Sequence, residues 1–439
     1  MLRSTLLQGP ILPYLLRHSL MLFAGMLALS SLSLIDVYFI GRLGREPLAA
    51  VGFTTPVFLI GLNILLSLGT GITAVLSQAI GRGEAAAVAQ IGRSGIGISL
   101  AAGAALGVLG AALHGPVFRL MGADAQVLAL VSGYMYLLYP AFGVMGGLAG
   151  LFSVMRAHGE SRLPMLAMIL IVLANALLDP LLIGGWGAIP ALGLPGAALA
   201  TLVSLVLGGL VLVAGGRRYL PARGVSVRGW QPILQIALPV GFTRVLFPVA
   251  STAVVGLLSG YGPAVVAAYG MGFRLDITLL MYMVALSSVV SPFVGQHDGA
   301  GDQGRLRQGL RDGALLVVAY GLLAAAAVMM GRKALGQLFT SDAAVLAQVS
   351  AYCLVVPWGY AFNGLLGLAA GALYALSRPR HAAWGLTAHL LLIYLPLAAL
   401  GHVYGTAAAV WLAYPVSLVL GSALLWSLLG QVLRARGKG

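Results

Sequence analysis

The chain has 439 residues, of which 60% are hydrophobic and only 8% charged, and its mean hydropathy is +0.99. A soluble domain carries about 25% charged residues, so apolar runs of about 18 residues or more, recurring along the whole chain, identify a polytopic helical membrane protein. Short alternating strands are absent, which excludes a β-barrel. The net charge of +14 is carried in short loops between apolar runs, which excludes nucleic acid as the partner and leaves the lipid bilayer; the single cysteine, Cys353, excludes an internal disulfide and a cysteine-based metal site.

In chain order, hydropathy predicts twelve spans near 18–41, 48–76, 92–116, 127–152, 163–183, 195–216, 233–259, 264–294, 313–331, 345–375, 382–400 and 405–433. The first is read as a retained helix rather than a signal peptide, because it is long and lacks an A-x-A-like cleavage site. Alternate loops differ in charge. Both termini and the even-numbered connections hold 18 cations, from Arg3 and Arg17 through Arg223 and Arg228 to Lys438, against 5 in the other set. The positive-inside rule therefore puts both termini in the cytoplasm; the expected location is the cell inner membrane.

The chain also resembles itself. "LAAVGF" at 48–53 returns as "VAAYGM" at 266–271, "QAIGRGE" at 78–84 as "QHDGAGD" at 296–302, and "ADAQVLALVSGY" at 123–134 as "SDAAVLAQVSAY" at 341–352. Gly52 and Gly270, Gln78 and Gln296, Asp124 and Asp342, Arg162 and Arg380 share one ungapped offset of 218. The expectation is an all-α protein of two homologous six-helix lobes around a central cavity, with residues 1–214 as the first lobe, 215–232 as a basic cytoplasmic linker and 233–439 as the second. Such halves can rock between inward and outward openings.

Eleven acidic residues are present, and three fall inside spans: Asp36, Asp179 and Asp276. A carboxylate at mid-helix costs roughly 2.5–3.5 kcal/mol on insertion scales. Asp36 in span 1 and Asp179 in span 5 lie at similar depth from the inner side. Asn175 and Asp179, four apart, share a helix face, as do Ser33 and Asp36, three apart. Burial favours the neutral form of a carboxyl, and a second carboxyl nearby does so further for one of the pair. The cluster is therefore read as the ion or proton site, against the plainer reading of hydrogen-bonded helix glue. Na⁺ held by Asp36, Asp179 and the Asn175 amide is the alternative to H⁺. Asp276, near Arg274 and Arg244, reads as a structural ion pair or interface anchor, and His389 in span 11 as a packing histidine. Ser33, Tyr136, Tyr139, Met145, Met155, Met281 and Met283 are the candidate cavity-lining residues, methionine supplying an adaptable wall.

"LSLIDVYFIGRLGREPLAAVGF", "LSQAIGRGE" and "NALLDP" resemble the multidrug and toxic compound extrusion (MATE) family over essentially the whole chain. The resemblance implies that Asp36, Asn175 and Asp179 form the cation or proton site. Spans 233–259 and 345–375 contain no Asp or Glu, unlike one bacterial branch, which places the chain nearer the branch named for DNA-damage-inducible protein F. Some relatives bend span 1 at a proline, but residues 18–41 contain none, so a bend would need Gly25 or altered bonding near Ser30, Ser31 and Ser33.

The expected function is a secondary antiporter, not an enzyme: it exports amphipathic organic cations in exchange for H⁺ or Na⁺, acts as a monomer and needs no cofactor. No G-x-x-x-x-G-K-[ST] motif is present to hold a nucleotide. The alternatives are a lipid-linked oligosaccharide flippase of the same superfamily and a membrane-embedded prenyl transferase. The flippase should place several cations in its cavity, where only Arg244 and Arg274 qualify. The transferase needs clustered aspartates for Mg²⁺-pyrophosphate chemistry.

Overall fold

The computed structural model describes residues 8–187, 190–219 and 229–436. Half of the 215–232 linker, with Arg223 and Arg228, lies outside them, as do Arg3 and Lys438. The described residues are helical, and twelve helices are long and apolar enough to cross a membrane. Those of the first half are α1 (Ile11–Gly41), α2 (Arg45–Gly81), α3 (Ala85–Ala112), the short α4 (His114–Leu120), α5 (Ala125–Ala157), α6 (Arg162–Gly184) and α7 (Leu194–Gly215). The second half has α8 (Trp230–Ser259), α9 (Pro263–Gly299), α10 (Gln303–Phe339), α11 (Ala343–Val355), α12 (Tyr360–Ala375), α13 (Pro379–Thr387), α14 (Leu395–Val403) and α15 (Ala407–Arg436). A 3₁₀ turn (Val356–Gly359) joins α11 to α12, and a π-helical segment (Ala388–Tyr394) joins α13 to α14, so each pair makes one span.

Several helices outrun the apolar segments that mark them. α1 begins at Ile11 rather than near 18, and α10 runs from Gln303 to Phe339 rather than 313–331. Hydropathy registers only the length in hydrocarbon, whereas a capped helix continues into the polar layer. Asp302 caps α10 by accepting from the Arg305 amide at 2.9 Å. Asp124 and Asp342, one repeat apart, cap α5 and α11 in the same way, through the Val127 amide at 2.8 Å and the Ala344 amide at 2.8 Å.

The repeat extends to backbone detail. α9 starts and ends 218 residues after α2. The positive-φ residues pair likewise: Gly44 (120°) with Gly262 (97°), Gly83 (73°) with Gly301 (74°), and Gly159 (81°) with Ser377 (54°). Ser377 is the one non-glycine with positive φ among the described residues. It repeats the turn although a side chain resists that conformation.

Two compact units emerge, residues 21–238 and residues 1–20 with 239–439. Their edges differ from the 1–214 and 233–439 read from the sequence. The start of α1 packs in the later unit: Ser19 Oγ donates to the Tyr282 hydroxyl at 3.3 Å, and Arg305 donates to the Gly9 carbonyl at 2.8 Å. The start of α8 packs in the earlier one, with Ile233 and Ala237 in the core around Leu68, Ile72 and Leu76. The break points, after Leu20 and after Leu238, are themselves one repeat apart.

In lipid the apolar surface of a helix gains little by leaving its surroundings, so close packing between helices holds each unit together internally. α3 and α5 show how the sequence permits this. A Cβ on Gly103 would overlap the Phe142 carbonyl oxygen, and one on Gly146 would overlap that of Ser99. Glycine at both positions lets the two backbones touch.

Candidate functional site

Asp36 lies on α1, five residues before its end at Gly41. Asn175 and Asp179 project from one face of α6 and are fully buried, while Asp36 is half-buried. Pro180 follows Asp179 within α6. A proline has no N–H, so the carbonyl of Ala176 receives no bond from four residues on, and an extra acceptor is left beside Asp179.

The three side chains meet. With the Asn175 amide in the orientation that satisfies its hydrogen bonds, its nitrogen donates to Asp36 Oδ1 at 3.0 Å and to Asp179 Oδ2 at 3.2 Å. Thr201 Oγ1 on α7 lies 3.5 Å from the other end of that amide. The carboxyls of Asp36 and Asp179 lie close enough to interact, with the Asn175 amide between them. A bond between two carboxyls exists only when one carries a proton, because an ionised carboxylate is an acceptor only. The two acids are therefore placed so that they can share one proton. Tyr134 on α5, 8% exposed, is within electrostatic reach of both carboxyls. Thr201 was not singled out from the sequence. Its only signal is that it and Ser204 are the two hydroxyls of the otherwise apolar α7.

The other candidates scatter. Ser33 is exposed, and its hydroxyl donates to the Ser30 carbonyl at 3.1 Å, so it turns back on its own helix and does not join Asp36. Ser30 and Ser31 donate to the Leu27 carbonyl at 2.8 and 3.1 Å, while Gly25 is packed against Met168. Tyr139 is buried, with its hydroxyl 2.9 Å from His114 Nδ1, while Tyr136 is half-exposed and packs on the same imidazole. Met155, completely buried, fills the core around Leu148, Ile171 and Leu212, and Met283 is buried against Gly364. Both fill helix contacts. Met145 is partly buried between two cores of the first unit. Met281 lines a cavity in the later unit.

Asp276 also departs from its expectation. It lies thirteen residues into α9, about 20 Å from its start, and its partners are phenols, not arginines. Tyr352 donates to Oδ2 at 2.6 Å and Tyr360 donates to Oδ1. His389 is buried with its Nε2 3.3 Å from the Ser417 hydroxyl, a packing position.

Comparison with known proteins agrees with this architecture. The MatE family model matches residues 22–181 and 239–400. The chain is 34% identical to an FAD transporter of Shewanella oneidensis, over 95% of this chain and 94% of that one. It is 25% identical to a probable multidrug resistance protein, YoeA, of Bacillus subtilis, over 90% and 88%. Its fold superposes with a TM-score of 0.91 on an aspartate-to-asparagine mutant of the Vibrio cholerae MATE transporter VcmN, at 27% identity over 97% of both chains. These matches set aside the prenyl transferase, since the family consists of transporters of small organic compounds, and they establish that this multi-pass membrane protein belongs to the MatE family.

Proposed function

We propose that the protein is a secondary antiporter of the cell inner membrane, with both termini cytoplasmic, that exports amphipathic organic cations in exchange for H⁺. The observation that carries this reading is that the Asn175 amide donates to both the Asp36 and the Asp179 carboxyl and so brings the two acids together. Asp36 belongs to α1 and Asp179 to α6, so a proton taken up between the two carboxyls joins two helices. When the proton leaves, two carboxylates face each other and repel, and only the Asn175 amide remains to bridge them. Protonation then favours α1 held against α6, and deprotonation favours its release. That difference in binding between two arrangements is what an ion needs to drive transport. Na⁺ in the same place, between the carboxyls and the Asn175 oxygen, would replace the proton as the bridge. Movement of the two lobes as one monomer completes the exchange.

The experiment is export from proteoliposomes holding the purified chain, wild type against Asp36→Asn, under an imposed pH gradient or an imposed Na⁺ gradient. Export of a cationic dye driven by the pH gradient in wild type and lost in Asp36→Asn supports H⁺ antiport. A response to Na⁺ alone changes the ion. Equal export by wild type and Asp36→Asn overturns the mechanism. A second reading, flavin adenine dinucleotide as cargo, is supported by the 34% identity to the Shewanella oneidensis transporter. Loading the same vesicles with that dinucleotide in place of dye decides between the two cargos.

A further inference from the structure

The later unit holds a partly open cavity of about 250 Å³, lined by residues other than those of the Asp36 cluster. Its walls include Tyr269, Tyr352, Tyr394, Trp411 and Tyr414, and Asp276 is the one charged side chain among the described residues that line it. Both Asp276 oxygens accept a phenol hydrogen, from Tyr352 and from Tyr360, which is how a carboxylate is bonded rather than a carboxylic acid. The rings brace one another. Tyr352 meets Trp411 edge-on at 5.6 Å, Tyr269 meets Tyr352 edge-on at 6.2 Å, and Asn363 donates to the Tyr414 hydroxyl at 2.9 Å.

The backbone departs from regular helix at this cavity. The 3₁₀ turn Val356–Gly359 begins with a lining residue, Val356, and is followed by Tyr360, which bonds Asp276. The π segment Ala388–Tyr394 ends on another lining residue, Tyr394. Residues 218 positions earlier lie in the uninterrupted helices α5 and α6. Such interruptions are tolerated in a membrane where they serve a cavity. The two carboxyl sites are not copies of each other either. Val254, in the cavity wall, occupies the place of Asp36, and Phe58 occupies the place of Asp276.

We propose that this cavity is a separate binding site for a small organic cation, an alkylated ammonium carrying a single aromatic ring, with its charge facing Asp276 and its alkyl groups on the surrounding rings. A carboxylate within an aromatic cage suits a poorly hydrated cation, which gains from ring faces as well as from the charge. The site does not suit a metal ion. Hard cations take six or more oxygen ligands, and here the walls are mostly apolar and the Asp276 oxygens already hold two phenols. The volume sets the size, near the lower end of ligand pockets at about 300 Å³. The proposal rests on organic cations being ligands of this protein, but not on which ion drives their export.

The test is equilibrium dialysis of the detergent-purified full chain against radiolabelled benzyltrimethylammonium, with phenylacetate as a probe of similar size and opposite charge. Wild type is expected to bind one cation per chain and to bind phenylacetate at least tenfold more weakly. Asp276→Asn should weaken cation binding at least tenfold. Ser251→Phe, which fills the cavity without touching the Asp276 hydrogen bonds, should abolish it and decides the matter if Asp276→Asn does not yield monodisperse protein. Equal affinity in wild type and Ser251→Phe, no binding by wild type, or loss of binding in Asp36→Asn with retention in Asp276→Asn would each overturn the site. Because binding is read without a gradient, failure of Asp36-coupled export leaves this result unaffected.

Discussion

Asn175 stands between two acids: its amide nitrogen is 3.0 Å from Asp36 Oδ1 and 3.2 Å from Asp179 Oδ2. No other residue type of that size donates two hydrogens in a fork to two carboxyls while keeping an oxygen for a third partner. Replacing it with Leu keeps the volume and removes both donors. Asn175→Leu is expected to reduce gradient-driven export at least tenfold and to lower stability by about 1–3 kcal/mol, the scale for stranding buried polar groups. Export assays and thermal melting of the same preparation read the two effects separately. A variant that melts lower but exports normally would make Asn175 structural.

Close contact between α3 and α5 leads to a second prediction. Gly146 and Gly143 sit one turn apart on α5, but a Cβ on Gly146 would meet the Ser99 carbonyl, whereas one on Gly143 meets nothing within 4 Å. Gly146→Ala is expected to destabilise by about 1–3 kcal/mol, as overpacking does. Gly143→Ala should be neutral or slightly stabilising, because alanine favours helix over glycine. Melting temperatures in detergent compare the two directly.

His158 follows the end of α5, outside the span, with Nδ1 2.9 Å from the Val154 carbonyl and its ring against Tyr219 at 5.3 Å. Burial pushes its pKa below the ordinary 6.5, against the smaller upward pull of that hydrogen bond. The unfolded chain therefore takes up the proton first as pH falls. Its contribution is unaffected above pH 6.5, and stability declines as pH falls through that value toward the folded pKa. His158→Gln is expected to flatten that part of the curve. Melting of both proteins from pH 8 to pH 5 measures the difference, and parallel curves would contradict the prediction.

Matching caps give the repeat an energetic test. Asp124 accepts from the Val127 amide at 2.8 Å, and Asp342, one repeat later, accepts from the Ala344 amide at 2.8 Å and the Val345 amide at 3.1 Å. Each replaced by Ala should cost about 1 kcal/mol, the scale of a lost N-cap. Chemical denaturation of the two single variants should show similar losses.

The sequence by itself determined the twelve spans, the 218-residue repeat and the pairing of Asn175 with Asp179. These are local properties: hydropathy over a span, identity at a fixed offset, and a helical face four residues long. Asp36 was legible too, since an acid in hydrocarbon is expensive wherever its helix packs. Only the tertiary structure decided which side chains meet across helices. Asp276 found two phenols rather than the arginines near it in sequence. Tyr139, Met155 and Met283 proved to be packing residues, while Met281 faces a cavity. The breaks in spans ten and eleven carried no signal in hydropathy, and the exchange of helix starts at Leu20 and Leu238 was equally hidden. The physical reason is that helices apolar on every side lack the polar stripe that would mark an inward face. Their rotation and neighbours are set by steric fit with other helices, such as glycine against carbonyl at Gly146 and Ser99, which only the assembled fold contains.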